Sequence, residues 1–233
     1  MTNPKFVDVF SGAGGMGLGL TLSGFENVLS IDSDKDAIKT LMGHSEGTAE
    51  CADIQELINR LEVKQDCLGK VDILVGGPPC QGFCAINPKR HENDPRNSMI
   101  DAFLRVAELI QPRVILLENV TGLLSLADGF AIKKIVLRLN ELGFNVDYKV
   151  LQAAHYGAPQ SRWRLFVVGY HGKSFAFPEP EFSANITPNF IRGRELTFRA
   201  NESSLFNRTS EPRNVWDAIS DLPAIENGET LED

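Results

Sequence analysis

"VDILVGGPPCQGFC", residues Val71 to Cys84, carries an apolar run into two glycines, two prolines and a thiol. Cysteine is ordinarily a small core residue. Cys80 instead follows Pro78-Pro79, whose fixed φ angles stiffen the loop. A thiol held in one place can serve as a nucleophile when its pKa is lowered or a positive group stands near it. A carboxylate, Glu118, ends a second apolar run in "LLENV", with Asn119 beside it. At a sheet edge such an acid is partly buried, which raises its pKa towards the range useful for giving up a proton. "YGAPQSRWRLFVVG" adds Gln160, Arg162 and Arg164 at the start of a strand, where alternation puts both arginines on one face.

A separate constellation suits a nucleoside. "FVDVFSGAGGMGLGL" is a strand followed by Gly12-x-Gly14-x-x-Gly17, and Asp32 stands 20 residues after Gly12. Glycines let backbone approach a ligand closely, and an acid at this spacing is suited to ribose hydroxyls. The pattern alone also permits a dinucleotide. Phe10 offers a ring to pack on a purine, and Asp53, ending "CAD" after the third strand, is placed for an adenine amino group. A compact adenosine with a charged amino-acid tail fits better than a pyrophosphate, which points to S-adenosylmethionine. The bland reading is a tight turn with no ligand, with Asp32 as a helix cap.

The elements that must position these groups alternate over the first 170 residues. Candidate strands are Phe6–Phe10, Asn27–Asp32, Val71–Val75, Val114–Glu118, Val146–Leu151 and Arg164–Tyr170. Ile132, Ile135, Val136, Leu139 and Leu142 form a helix stripe ended by Gly143, and Ser33 with Asp36 resembles a capping box. Continuous apolar strands such as Val-Ile-Leu-Leu at 114–117 are expected where helices cover both faces. The fold expected is α/β, a doubly wound, mostly parallel sheet. Residues 1–172 read as the catalytic domain. Residues 173–233 read as a linker leading into a further region, polar from Lys173 to Ser210, with a short helix between Val215 and Leu222.

Composition narrows the class. Of 233 residues 42% are hydrophobic, enough for a core, and no apolar run approaches the ~20 residues of a membrane helix. No signal peptide is expected before the first strand, and the four cysteines form no disulfide framework, which suggests free thiols in a reducing compartment, the cytoplasm. Cys80 and Cys84 lack a second close Cys or His pair, so no metal site is expected. A net charge of −8 does not favour nucleic acid. Positive charge is local: Lys89, Arg90 and Arg96, then Arg162 and Arg164, then Arg192 to Arg199. His155 and His171 show no partner pattern and read as structural.

Taken together these residues resemble the DNA (cytosine-5)-methyltransferase family. FSGAGGMGLGL resembles its S-adenosylmethionine loop, GGPPCQGF its nucleophile loop, ENV its glutamate motif and QSRWR its Gln-x-Arg-x-Arg motif. "DPRNSMIDAF" and "NVWDAISDLPAIENGE" match further segments, in family order over nearly the whole chain. The resemblance implies a methyltransferase fold of the Rossmann-like type that uses S-adenosylmethionine and acts on a cytosine flipped out of duplex DNA, in a bacterial or phage-like restriction-modification setting. It implies catalytic roles for Cys80, Glu118, Arg162 and Arg164. Gly12 joins Phe10, Ala13, Gly14, Gly15, Asp32, Asp53, Ile54, Pro79 and Met99 at the cofactor. Gln81, Gly82, Asn119 and Gln160 fall on the substrate side, and the loop from Gln81 to Asn97 would close over DNA.

Two departures matter. Cys84 replaces the family's usual serine after Gln-Gly-Phe. The chain also ends before the family's DNA-reading region and last motif. A truncated chain, or one half of a split enzyme completed by a second polypeptide, is expected from that. The alternatives are a non-catalytic cofactor-fold module and a transfer RNA methyltransferase on the same core. A dehydrogenase has no use for Pro-Pro-Cys.

Overall fold

Lys5–Val9 forms β1, apolar on both faces except for Asp8, and its four residues after Lys5 are all buried. The computed structural model describes residues 2–45, 47–64, 68–79, 98–125, 129–182 and 211–223. Cys80, Gln81, Gly82, Cys84, Lys89, Arg90, Arg96 and the stretch from Arg192 to Arg199 lie outside them.

After β1 the chain continues through α1 (Gly15–Leu22), β2 (Glu26–Asp32), α2 (Lys35–Met42), β3 (Ala49–Cys51) and α3 (Ile54–Val63). Then follow β4 (Ile73–Gly76), α4 (Ser98–Ile110), β5 (Val114–Asn119), α5 (Phe130–Glu141), β6 (Asn145–Gln152) and β7 (Trp163–Tyr170). A last helix, α6, spans Val215–Ile219. The sheet order is β3-β2-β1-β4-β5-β7-β6. β1 pairs in parallel with both β2 and β4, β4 in parallel with β5, and β7 antiparallel with β5. This is the mostly parallel α/β sheet the sequence predicts. The order reverses between β1 and β4, and ligands in such sheets bind beyond the strand ends at this switch point.

Local signals explain the boundaries. Asp34 caps α2, accepting from the N–H groups of Asp36 and Ala37 at 2.8 and 3.1 Å. The cap is therefore Asp34 rather than the expected Ser33, because the strand runs to Asp32 and the helix starts at Lys35. Asp53 caps α3 through Gln55. α5 ends at a Schellman-like turn, where Gly143 takes φ +88° and Phe144 N–H returns to Leu139. On α4, Phe103 and Val106 are fully buried, the Phe103 ring lying against Gly76 of β4, and each contributes about 2 kcal/mol of apolar burial.

The chain divides into two compact units, one of residues 1–150 with 165–176, the other of residues 151–164 with 177–233. In the second, Asn214 and Asp217 form a reciprocal capping box, yet α6 has no buried residue. Among the described residues no helix is long and apolar enough to cross a membrane.

Candidate active site

The turn after β1 begins with a strained residue. Phe10 takes φ +58°, a region that a bulky side chain enters only when its surroundings force it. Ser11 N–H bonds Ile31 O at 3.1 Å and Gly12 N–H donates to Asp32 Oδ2 at 2.8 Å. Gly14 N–H closes the turn on Ser11 O at 2.9 Å. At Gly14, φ +91° and the side chain of Leu41 leave no room for a Cβ. Asp32 is thus the anchor of the glycine turn, with its other oxygen accepting from Asp34 N–H at 2.9 Å. A carboxylate has about four acceptor positions, so each oxygen retains capacity for a hydroxyl.

A cavity of about 240 Å³ opens beside this turn. Phe10, Ile31, Asp32, Ser33, Ala52, Asp53, Ile54, Gly77, Pro79 and Met99 line it. Six of the ten residues predicted at the cofactor are therefore brought together: Phe10, Asp32, Asp53, Ile54, Pro79 and Met99. Gly12, Ala13, Gly14 and Gly15 do not line the cavity; they form the turn that leads out of it into α1. A ring, two carboxylates and an apolar floor suit a nucleoside with an attached ribose, so the donor set fits S-adenosylmethionine.

Below the turn lies an acid that the motifs do not flag. Asp8 is fully buried, and both its carboxylate oxygens lack a hydrogen-bond partner among the described residues, as does the Ser11 hydroxyl. Burial pushes its carboxyl up to about 7. The Gly17 N–H offsets part of that rise without reaching hydrogen-bond geometry, and the Asp32 charge adds to it. The signal in the sequence was a charge in the middle of an otherwise apolar strand.

On the other side of the switch point β4 and β5 pair in register, Gly76 opposite Leu117. The next residues, Gly77 and Glu118, are therefore neighbours. A Cβ at position 77 would stand 3.3 Å from Glu118 Oε2 and 3.6 Å from the Met16 methyl. Glu118 is half-buried. Asn119 is buried, its amide donating to Pro78 O at 3.1 Å while its oxygen accepts from Val120 N–H at 2.8 Å. Its side chain thus ties the end of β5 to the proline loop. It braces Pro78, the first of the two prolines that precede Cys80.

The second unit holds Gln160, Arg162 and Arg164. Gln160 and Arg162 are exposed, and Arg162 precedes β7 rather than sharing a strand face with Arg164. Arg164 is half-buried and donates to Trp163 O at 2.8 Å. Gln152, absent from every motif, organises this turn: buried, it accepts from Arg162 N–H at 2.8 Å and from Ala154 N–H at 3.4 Å. Of the histidines read as structural, His171 stacks on Phe144 and His155 meets Trp163 edge-on.

Comparison with known proteins gives the family. The model of the C-5 cytosine-specific DNA methylase family matches residues 4–222. The chain belongs to this family. Among its curated relatives, the type II methyltransferase M.AquIA of Picosynechococcus is 32% identical, with 94% of this chain and 89% of that protein covered. The type II methyltransferase M.AgeI of Thalassovita gelatinovora is 33% identical over 94% of this chain. This methylase chain spans only 51% of the latter protein. Among solved structures, one assigned as a DNA modification methyltransferase encoded within an E. coli prophage aligns with TM-score 0.60 and 28% identity, over 72% of this chain and 47% of that one. The S. pombe Dnmt2 methyltransferase shares the fold at TM-score 0.58 and 23% identity, over 76% of this chain and 52% of that one.

Proposed function

We propose that this chain carries the catalytic portion of a type II DNA (cytosine-5)-methyltransferase, acting on duplex DNA in a bacterial or phage cytoplasm. The observation that supports this most is the pairing of Glu118 with Gly77 at the edge where Phe10, Asp32 and Asp53 line a cavity. An acid, a cofactor pocket and the start of the Cys80 loop share one edge of the sheet.

S-adenosylmethionine, when bound, supplies a sulfonium methyl. Phe10 would pack on its adenine, Asp53 would accept from the adenine amino group and Asp32 from the ribose hydroxyls. The chain's own residues activate the base. Cys80 as thiolate adds to carbon 6 of the extruded cytosine, forming a sulfur–carbon bond and moving the ring electrons to carbon 5. Glu118 gives a proton to N3 as charge builds there. Once carbon 5 carries the methyl, loss of its proton to a base breaks the sulfur–carbon bond, and N3 returns its proton. Arg162 and Arg164 would supply positive charge to the thiolate and the base, and Gln160 with the loop at Gln81 and Gly82 would hold the extruded nucleotide.

Duplex DNA carrying 5-fluorocytosine tests this. The fluorine cannot leave as the proton does, so a working nucleophile stays covalently attached. A Cys80-dependent, denaturant-resistant adduct on DNA is the expected result. Adduct formation with Cys80→Ser, or on transfer RNA but never on DNA, overturns the reading.

A further segment or a second polypeptide is part of the proposal. On α1, beside the glycine turn, Leu18 and Leu22 are 40% and 80% exposed, an apolar face suited to a covering chain. The chain alone is then expected to methylate DNA poorly. Incorporation of labelled methyl by the purified chain at the rate of a complete enzyme would remove this part.

A further inference from the structure

One side chain braces the glycine turn from outside every motif in the sequence. His44 follows the C-terminal end of α2, its own N–H bonded to Leu41 O at 3.1 Å. Its ring Nε2 lies 2.8 Å from the carbonyl oxygen of Ala13, 31 residues away in the chain. A carbonyl only accepts, so Nε2 carries the proton in this bond. The remaining contacts of the turn hold Ser11, Gly12 and Gly14 through their N–H groups. The Ala13 carbonyl has no other brace among the described residues.

That carbonyl sits where the backbone is least restrained. Gly12 and Gly14, on either side of Ala13, take φ +54° and +91°, and glycine rotates away from such values at little steric cost. A rotation of the peptide between Ala13 and Gly14 would break the Gly14–Ser11 bond and reverse the carbonyl dipole. The first-turn N–H groups of α1 begin at the next residue and form the end of the helix that attracts an anion. A carbonyl oxygen turned towards an incoming carboxylate there would repel it.

We propose that His44 is a positioning residue for the amino-acid end of the cofactor. By holding the Ala13 carbonyl away from the start of α1, it keeps the turn in the form that receives a carboxylate. The inference rests on the S-adenosylmethionine reading above. It separates two roles: Phe10, Asp32 and Asp53, which line the cavity, serve the nucleoside, and His44 acts through Ala13, in the turn beside the cavity, on the tail alone.

Calorimetric titration of the full chain with S-adenosylhomocysteine and with adenosine separates these parts. His44→Ala is expected to weaken S-adenosylhomocysteine about tenfold, the effect of one well-placed hydrogen bond, and adenosine less than about twofold. His44→Gln, whose amide nitrogen reaches nearly as far as Nε2 and donates, is expected to restore S-adenosylhomocysteine to within about threefold. His44 is exposed, so neither change disturbs the core. Unchanged affinity in His44→Ala, equal losses in both variants, or an equal loss for adenosine overturns the proposal. A wild-type chain that binds neither compound sinks the cofactor reading itself, which is a separate outcome.

Discussion

At the N-terminal edge of the sheet Asp72 is surrounded by partners, whereas Asp8, towards the C-terminal edge, has none among the described residues. The Asp72 carboxylate accepts from Lys5 N–H at 3.0 Å and faces Lys70 and Arg113 at 3.5 and 3.8 Å. Its backbone bonds Lys5 O, Arg113 N–H and Val114 N–H, joining the starts of β1, β4 and β5. The Lys5 N–H, with the two cations, holds its carboxyl below the usual range. Asp8 is pushed the other way by burial. One end of the sheet gains stability from its aspartate, and the other carries a cost beside the cavity. Unrelieved polar groups concentrate where a ligand is to be met.

Substitutions at the two edges should therefore separate activity from stability. The largest effect is expected from Glu118→Gln, which removes the proposed proton donor without changing shape. Methyl transfer by the complete enzyme should fall by about 10²–10⁴-fold while the melting temperature holds. A matching loss of stability would move Glu118 to the structural side of the comparison.

Asp8→Asn comes next. Because the folded carboxyl titrates near 7 and the unfolded one near 3.8, the protonated form is favoured in the fold. The contribution of Asp8 is then fully favourable below about pH 4 and is lost as pH rises through 7. Across that window the wild type should lose on the order of 4 kcal/mol relative to Asp8→Asn. Urea denaturation at pH 5 and pH 8 reads about 3 kcal/mol of that loss, and parallel stability curves would show that Asp8 is relieved in solution.

Gly14→Ala should follow. A left-handed φ and the crowding of Leu41 against a new Cβ together cost about 1–3 kcal/mol, and the shifted turn should weaken S-adenosylhomocysteine binding. Retained affinity would mean that the turn is not part of the pocket. The smallest effect belongs to Asp72→Ala, about 1–2 kcal/mol by chemical denaturation, with cofactor affinity unchanged. Its sign with pH is opposite to that of Asp8: the stabilisation is present above the ordinary carboxylate pKa and is lost as pH falls through the lowered folded value.

Most of the sheet was legible because apolar runs with glycine or acid at their ends are strong local signals. β1, β2 and β5 fall within about a residue of their expected bounds. β3 is only three residues long, too short for any period to mark its limits. The tie between Asp32 and the glycine turn was legible through spacing, since a strand and a turn fix how far Asp32 stands from Gly12. Asn119, Gln152 and His44 were not. Each acts through a backbone group distant in sequence, 41, 10 and 31 residues away, and no local pattern encodes such a partner. Asp8 lay between, visible as a misplaced charge but without a stated purpose.

The parallel ladder between β4 and β5 works as a ruler. Because Gly76 faces Leu117 through sheet hydrogen bonds, the separation between the acid and the root of the thiol loop is independent of whatever follows residue 79. Lengthening or exchanging the stretch beyond it should leave the setting of Glu118 untouched. A scaffold of this kind can be retargeted without rebuilding its chemistry.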